Sequence, residues 1–151
     1  MIEAKDLKSV ILLGYLNDFM LQKLAEITLI TKIDAGNYIF QEGEDAKHLY
    51  SIIDGKVGLE IEKNSSTRIM VDTLNQGRTF GFSALVDTEE KKYTSSAKAI
   101  TDAKVFFWKA TDLESIFNQD CELGLMFMRR IAKIIKARLQ IRNIQFLDIY
   151  R

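Results

Sequence analysis

The chain has 151 residues, 47% hydrophobic and 28% charged, which is the composition of one packed globular domain and excludes a disordered segment. Its 21 Lys and Arg balance 21 Asp and Glu, so no global field draws it to nucleic acid. A single Cys and a single His exclude a disulfide framework and a Cys/His zinc site, and they suit a reducing, cytoplasmic setting.

Residues 1–30 are expected to be helical. The run from Val10 to Leu16 is too short to span a bilayer and is read as core-facing, so no membrane partner is expected. Leu16, Phe19, Met20, Leu24 and Ile27 recur at spacings of three and four, marking one apolar face, with Asn17 and Asp18 as the candidate cap.

From Thr31 the period shortens, and residues 31–110 are expected to form a β-roll. Short apolar pieces are broken by Gly36 and Gly43, and two strand-like runs flank Asp54-Gly55, a hairpin signal. Asn64 to Ser66 is a turn, and Thr101-Asp102 joins two further strands. Many short strands with turns between them predict a sandwich or barrel. His48 is read as a strand residue with a local hydrogen bond, and Glu89-Glu90 as a solvated turn.

Residues 111–151 return to a period of 3.6. Thr111 and Glu114 have capping-box spacing, a break is expected at Asn118 to Asp120, and one long helix or two in sequence should follow. Cys121 is read as a small, half-buried hydrophobe. On a helical wheel Leu123, Phe127, Met128, Ile131, Ile134, Ile135, Leu139, Ile141, Phe146 and Ile149 share a broad arc, with Arg129, Lys133 and Lys136 opposite. Arg138 and Arg142 break the pattern by falling inside the apolar arc, four residues apart. That long arc exceeds what one small roll can cover, so a homodimer through this helix is expected.

Catalytic patterns are missing: there is no nucleophile elbow, no phosphate-binding P-loop, and one His makes no constellation, so the chain is not read as an enzyme. The most suggestive stretch is Gly77 to Ala97. Gly77 and Gly81 permit tight turns, Phe82 to Leu85 reads as one helical turn, and Ser83, Thr94 and the Lys91-Lys92 pair offer donors for an anion. A plain connecting loop is the competing reading.

The order of helix, roll, glycine-rich cassette and long C-terminal helix resembles the cyclic nucleotide-binding domain, as in the catabolite activator protein family. The resemblance covers roughly residues 14–142 and rests on "DAGNYIFQEGEDAKHLYSIIDGKVGLEI", "LNQGRTFGFSAL" and "YTSSAKAITDAKVFFW". It implies a mainly β fold: an eight-stranded antiparallel jelly-roll, or double-stranded β-helix, with an N-terminal helix and a long C-terminal one. In that family a cassette Glu holds the ribose, and an Arg with a following Ser or Thr holds the cyclic phosphate. Here Phe80, Gly81, Ala84 and Leu85 match, and Thr94 takes the Ser/Thr position. Phe82 replaces the Glu and Tyr93 the Arg, whereas a shifted alignment brings Lys92 to the Arg position. Losing the carboxylate's charge-assisted hydrogen bond costs roughly 1.5–3 kcal/mol, and losing the Arg removes the group best shaped for phosphate.

The resemblance therefore implies a regulatory module that takes a cyclic nucleotide or another small anion weakly or with altered specificity. No certain cofactor is implied. The candidate cassette is Gly81, Phe82, Ser83, Ala84, Lys92, Tyr93 and Thr94. Arg138 falls near the position from which the family's C-terminal helix faces the ligand's base, and Arg142 lies one turn on. These two either make dimer-seam salt bridges, snorkel to solvent, or reach a pocket ligand. The competing expectation is a degenerate scaffold for a homodimer or a protein partner, with Phe82 and Tyr93 filling the pocket. An open cavity near Ser83 and Thr94 tells against it. The 151 residues leave no room for a helix-turn-helix after the C-terminal helix, so direct DNA binding is not expected of them, and if they are the whole gene product the chain is expected to be a sensor without an attached output.

Overall fold

The computed structural model describes residues 1–86 and 88–150. Among these, eight antiparallel strands form two four-stranded sheets. They are β1 (Leu29–Ile33), β2 (Tyr38–Phe40), β3 (His48–Asp54), β4 (Val57–Asn64), β5 (Thr67–Leu74), β6 (Thr79–Phe80), β7 (Ser96–Ala99) and β8 (Ala103–Lys109). The sheet orders are β1-β8-β3-β6 and β2-β7-β4-β5, so the chain repeatedly switches sheets, as a jelly-roll does. Three α-helices accompany the roll: α1 (Asp18–Glu26), α2 (Ala110–Gln119) and α3 (Cys121–Ile149). The expected fold class stands.

Strands β3 and β8 carry apolar side chains on both faces because both are covered. Tyr50, Ile52 and Val105 point into the roll, against Val57, Leu74 and Phe80. Leu49, Phe106 and Trp108 point out of it and pack on Leu24, Leu113, Leu123 and Phe127 of the helices. The central sheet thus separates two cores. Trp108 Nε1 donates to Thr28 Oγ1 at 2.6 Å, and Thr28 donates on to Leu24 O, which satisfies the indole inside the helical core.

Several local expectations change. Residues 1–30 are not all helix: two short 3₁₀ turns (Ala4–Ser9 and Ile11–Leu13) precede α1, and Leu29 and Ile30 already belong to β1. Asn17 does cap α1, accepting from Met20 N at 2.8 Å. Phe19 is exposed beneath Lys23 Nζ, 4.6 Å from its ring centroid, and does not share the buried face. Asp54-Gly55 is no hairpin, since β3 pairs with β6 and β8 while β4 pairs with β5 and β7. Its turn, and that at Thr101-Asp102, carry the chain from one sheet to the other. The two corners lean together: Ile100 N donates to Lys56 O at 2.9 Å, and Lys56 N to Thr101 Oγ1 at 3.1 Å. The real hairpin is the turn after Asn64, where β4 pairs with β5.

At the C-terminal end, α2 starts at Ala110 with Lys109 at the cap position, two residues before the expected cap, and Thr111 does not cap it. Glu114 instead binds Lys91 Nζ at 3.1 Å. The break is a single residue, Asp120, which caps α3 by accepting from Leu123 N. Cys121 is exposed, not half-buried, because it starts that helix on its solvent side. Helix α3 is one continuous element of 29 residues. Its first three turns bury Leu123, Phe127 and Ile131, whereas beyond Ile134 its apolar side chains are exposed. No described helix is long and apolar enough to cross a membrane.

Candidate ligand-binding site

The site begins at Gly81, whose φ of 87° lies in the left-handed region that glycine alone adopts freely. A Cβ there would also stand 3.1 Å from His48 O and 3.3 Å from the Tyr50 ring. The chain then makes the single 3₁₀ turn Phe82–Ala84 that the sequence predicts. Ala84 is buried in the roll core, whereas Phe82 and Ser83 are half-buried and line the cavity, with Phe82 also packed against the helical core. The turn's own amides are partly spent, since Ala84 N donates to Gly81 O and Leu85 N to Phe82 O.

Tyr93 does not occupy the place of a ligand-binding arginine. Its ring stacks on Phe40 at 3.6 Å with an interplanar angle of 10°. Its hydroxyl donates to His48 O at 2.7 Å and accepts from His48 N at 3.2 Å. Burial raises the pKa of the phenol. Tyr50 is raised too, first by burial and then by Tyr93. Both therefore stay neutral and bring no charge to the site. Tyr93 is a structural floor.

Above that floor is an open cavity of about 350 Å³ between the roll and α3. Phe40, Leu59, Phe82 and Tyr93 form its roll side, with Ser83, Thr94 and Ser95 as the hydroxyl-bearing rim. Helix α3 closes it with Ile135, Arg138, Leu139 and Arg142, a set at helical spacing on one face. Lys92 is not part of the lining. It is exposed and lies 3.9 Å from Asp45, its neighbour in an isolated bridge, so it leaves the role a shifted alignment would give it.

Arg138 is the cationic centre of the region. Its Nη2 donates to Thr79 O at 2.6 Å, its Nε lies 3.9 Å from Asp72, and its guanidinium stands 5.1 Å from the Phe82 ring centroid. Burial lowers its pKa, Asp72 opposes this, and Arg78 and Arg142 add to the lowering. A guanidinium remains charged through such shifts. Arg138 also forms part of a second cavity, of about 280 Å³, between β5, the Asn75–Thr79 segment and α3. It is thus a partition between two spaces. Of the three sequence readings, snorkelling fails for Arg138, because the side chain turns inward. Asp72 and Thr79, its partners, carried no local signal: they are 66 and 59 residues away in the chain. Ile135 and Leu139 were within reach of the helical wheel, since they flank Arg138 at spacings of three and one.

The chain belongs to the cyclic nucleotide-binding domain family, whose model matches residues 30–120. A search of curated proteins found no match. A protein of Geobacter metallireducens GS-15, named for cyclic nucleotide binding, superimposes with a TM-score of 0.79 at 27% identity, covering 92% of this chain and 99% of that one. A cyclic nucleotide-binding domain from Methylobacillus flagellatus KT gives 0.81 at 14% identity, covering 96% and 80%. The catabolite activator protein of Thermus thermophilus gives 0.75 at 21% identity, covering 92% of this chain and 62% of that one. The latter two are likenesses of fold alone.

Proposed function

We propose that the chain is a regulatory sensor domain that takes a small anion, a nucleotide or another, in the cavity between the cassette and α3. The observation that carries this reading is the open cavity of about 350 Å³ with Arg138 and Arg142 on its helical wall. Ser83 and Thr94 line it, which supports an open site over a wholly filled scaffold, while Tyr93 is buried as the scaffold reading expects. The family's cassette arginine is replaced in place but not in function: positive charge comes to the ligand from α3 and not from the loop. A ligand held between roll and helix bears directly on how α3 lies, and α3 is the element through which the signal leaves. Its exposed apolar end is a surface on which a second copy would pack.

Isothermal titration calorimetry of the full chain with cAMP, cGMP, a cyclic dinucleotide and inorganic phosphate tests the reading. The expected result is saturable heat with at least one anion, weakened about tenfold or more in Arg138→Gln, as loss of a charge-assisted hydrogen bond predicts. Silence across a broad anion panel would defeat the proposal.

A further inference from the structure

The lining of the α3 cavity says which kind of anion suits it, and this inference rests on the sensor reading above. Two arginines, Arg138 and Arg142, stand one helical turn apart and face the same space. Their mutual repulsion is relieved by a negative group placed between them. Asp72 reaches Arg138 from the side of the second cavity and offsets part of its charge, whereas no carboxylate lines this cavity among the described residues. Of the five N–H donors on the Arg138 guanidinium, one is used on Thr79 O and Nε faces Asp72. The remainder are left for an incoming oxygen.

The rest of the lining is largely apolar and offers a sugar little more than a rim of small hydroxyls. Phe82 and Leu59 face Ile135 and Leu139 across the cavity. Among the described lining residues there is no Asp or Glu to accept from a ribose hydroxyl. Burying a hydroxyl against such a wall without a partner is unfavourable. Three small hydroxyls, on Ser83, Thr94 and Ser95, are the polar groups that remain besides the arginines. An apolar body against Phe82 and Leu139 gains from burial, and an anionic head at the arginines gains a bidentate partner.

We propose that the preferred ligand is an amphiphilic organic anion: a carboxylate held by Arg138 and Arg142, with an apolar ring or acyl chain lying between Phe82 and Leu139. A cyclic nucleotide is the poorer occupant. Isothermal titration calorimetry at fixed ionic strength, with the full chain, compares four probes: 2-naphthoate, decanoate, the neutral 2-naphthalenemethanol, and cAMP. The expected result is that 2-naphthoate or decanoate binds at least about tenfold tighter than both cAMP and the neutral alcohol. Whichever of the two is tighter tells whether the body is a ring or a chain, and either outcome supports the proposal. Arg142→Gln, which leaves the Thr79 and Asp72 contacts of Arg138 in place, is expected to weaken the carboxylate several-fold with no change in the thermal midpoint. Leu139→Asn, in the helical wall of the cavity, weakens the carboxylate while sparing inorganic phosphate. If cAMP binds more tightly than both carboxylates, this inference falls and the sensor reading stands. Equal binding of 2-naphthoate and its neutral alcohol also overturns it. If none of the probes and none of the anions named above binds, both fall together.

Discussion

Tyr93 stands at the position of the family's cassette arginine but is held inward by the roll, and the cationic side chains at the cavity come from α3. The phenol sits on Phe40 and holds both backbone groups of His48, so it fastens the cassette loop to β3. Tyr93→Phe keeps the stack and loses two hydrogen bonds at a buried site. It is expected to cost about 1–3 kcal/mol, lowering the thermal midpoint by several degrees with ligand affinity little changed. Thermal unfolding followed by circular dichroism checks this, and a silent substitution would deny Tyr93 its structural part. His48 offers a pH test. Its pKa is lowered from 6.5, first by burial and then by Lys109 and Lys47. The folded state therefore binds its proton less readily than the unfolded chain, and stability falls as pH drops through about 6.5 toward the lower folded value. His48→Gln should flatten the stability profile between about pH 5 and 7 in denaturant titrations. A slope unchanged by the substitution would mean that other groups set it.

At the scale of elements, the two corner turns and α3 decide the shape of the site. Asp54-Gly55 looks like a hairpin turn, because a hairpin and a sheet-switching corner can use the same sharp reversal and the same glycine. Gly55 has a φ of 95°, and a Cβ there would run into the backbone of Asp102 and Ala103. What tells corner from hairpin is the partner each strand finds, which lies elsewhere in the chain. Helix α3 is read well as one long amphipathic element, yet only its first half is covered. Leu139, Ile141, Ile144, Phe146, Leu147 and Ile149 are all more than half exposed. A helix that leaves so long an apolar stripe uncovered is one that another surface buries. A homodimer at micromolar concentration is therefore expected in sedimentation velocity. Ile144→Glu with Leu147→Glu should shift it to monomer while leaving the roll's thermal midpoint within a few degrees. A monomeric wild-type chain would refute this.

For the whole molecule, the central sheet divides the interior into a roll core and a helical core, and the candidate cavity lies where the roll meets α3. Arg138 crosses that boundary to bind Thr79 O, so the position of α3 is tied to the strand that leads into the cassette. An anion that draws the guanidinium toward the cavity must work against the Thr79 and Asp72 contacts. That competition is the physical route by which occupancy would reach the helix, since a ligand shifts an equilibrium only by its differential affinity for two states.

The strand-rich middle, the long C-terminal helix, the turn at Phe82–Ala84 and the anomaly of Arg138 were all legible in the linear order of residues. These depend on period, on glycine's backbone freedom, and on a charge misplaced in an apolar arc, which are local properties. Strand partnership, the open cavity, the inward turn of Tyr93 and the departure of Lys92 toward Asp45 were decided only by tertiary structure. Each of these depends on which distant groups come within a few ångströms of one another, and spacing along a chain carries no such information. So Tyr93, aligned with an arginine, became a floor, and an arginine 45 residues later came to face the cavity above it.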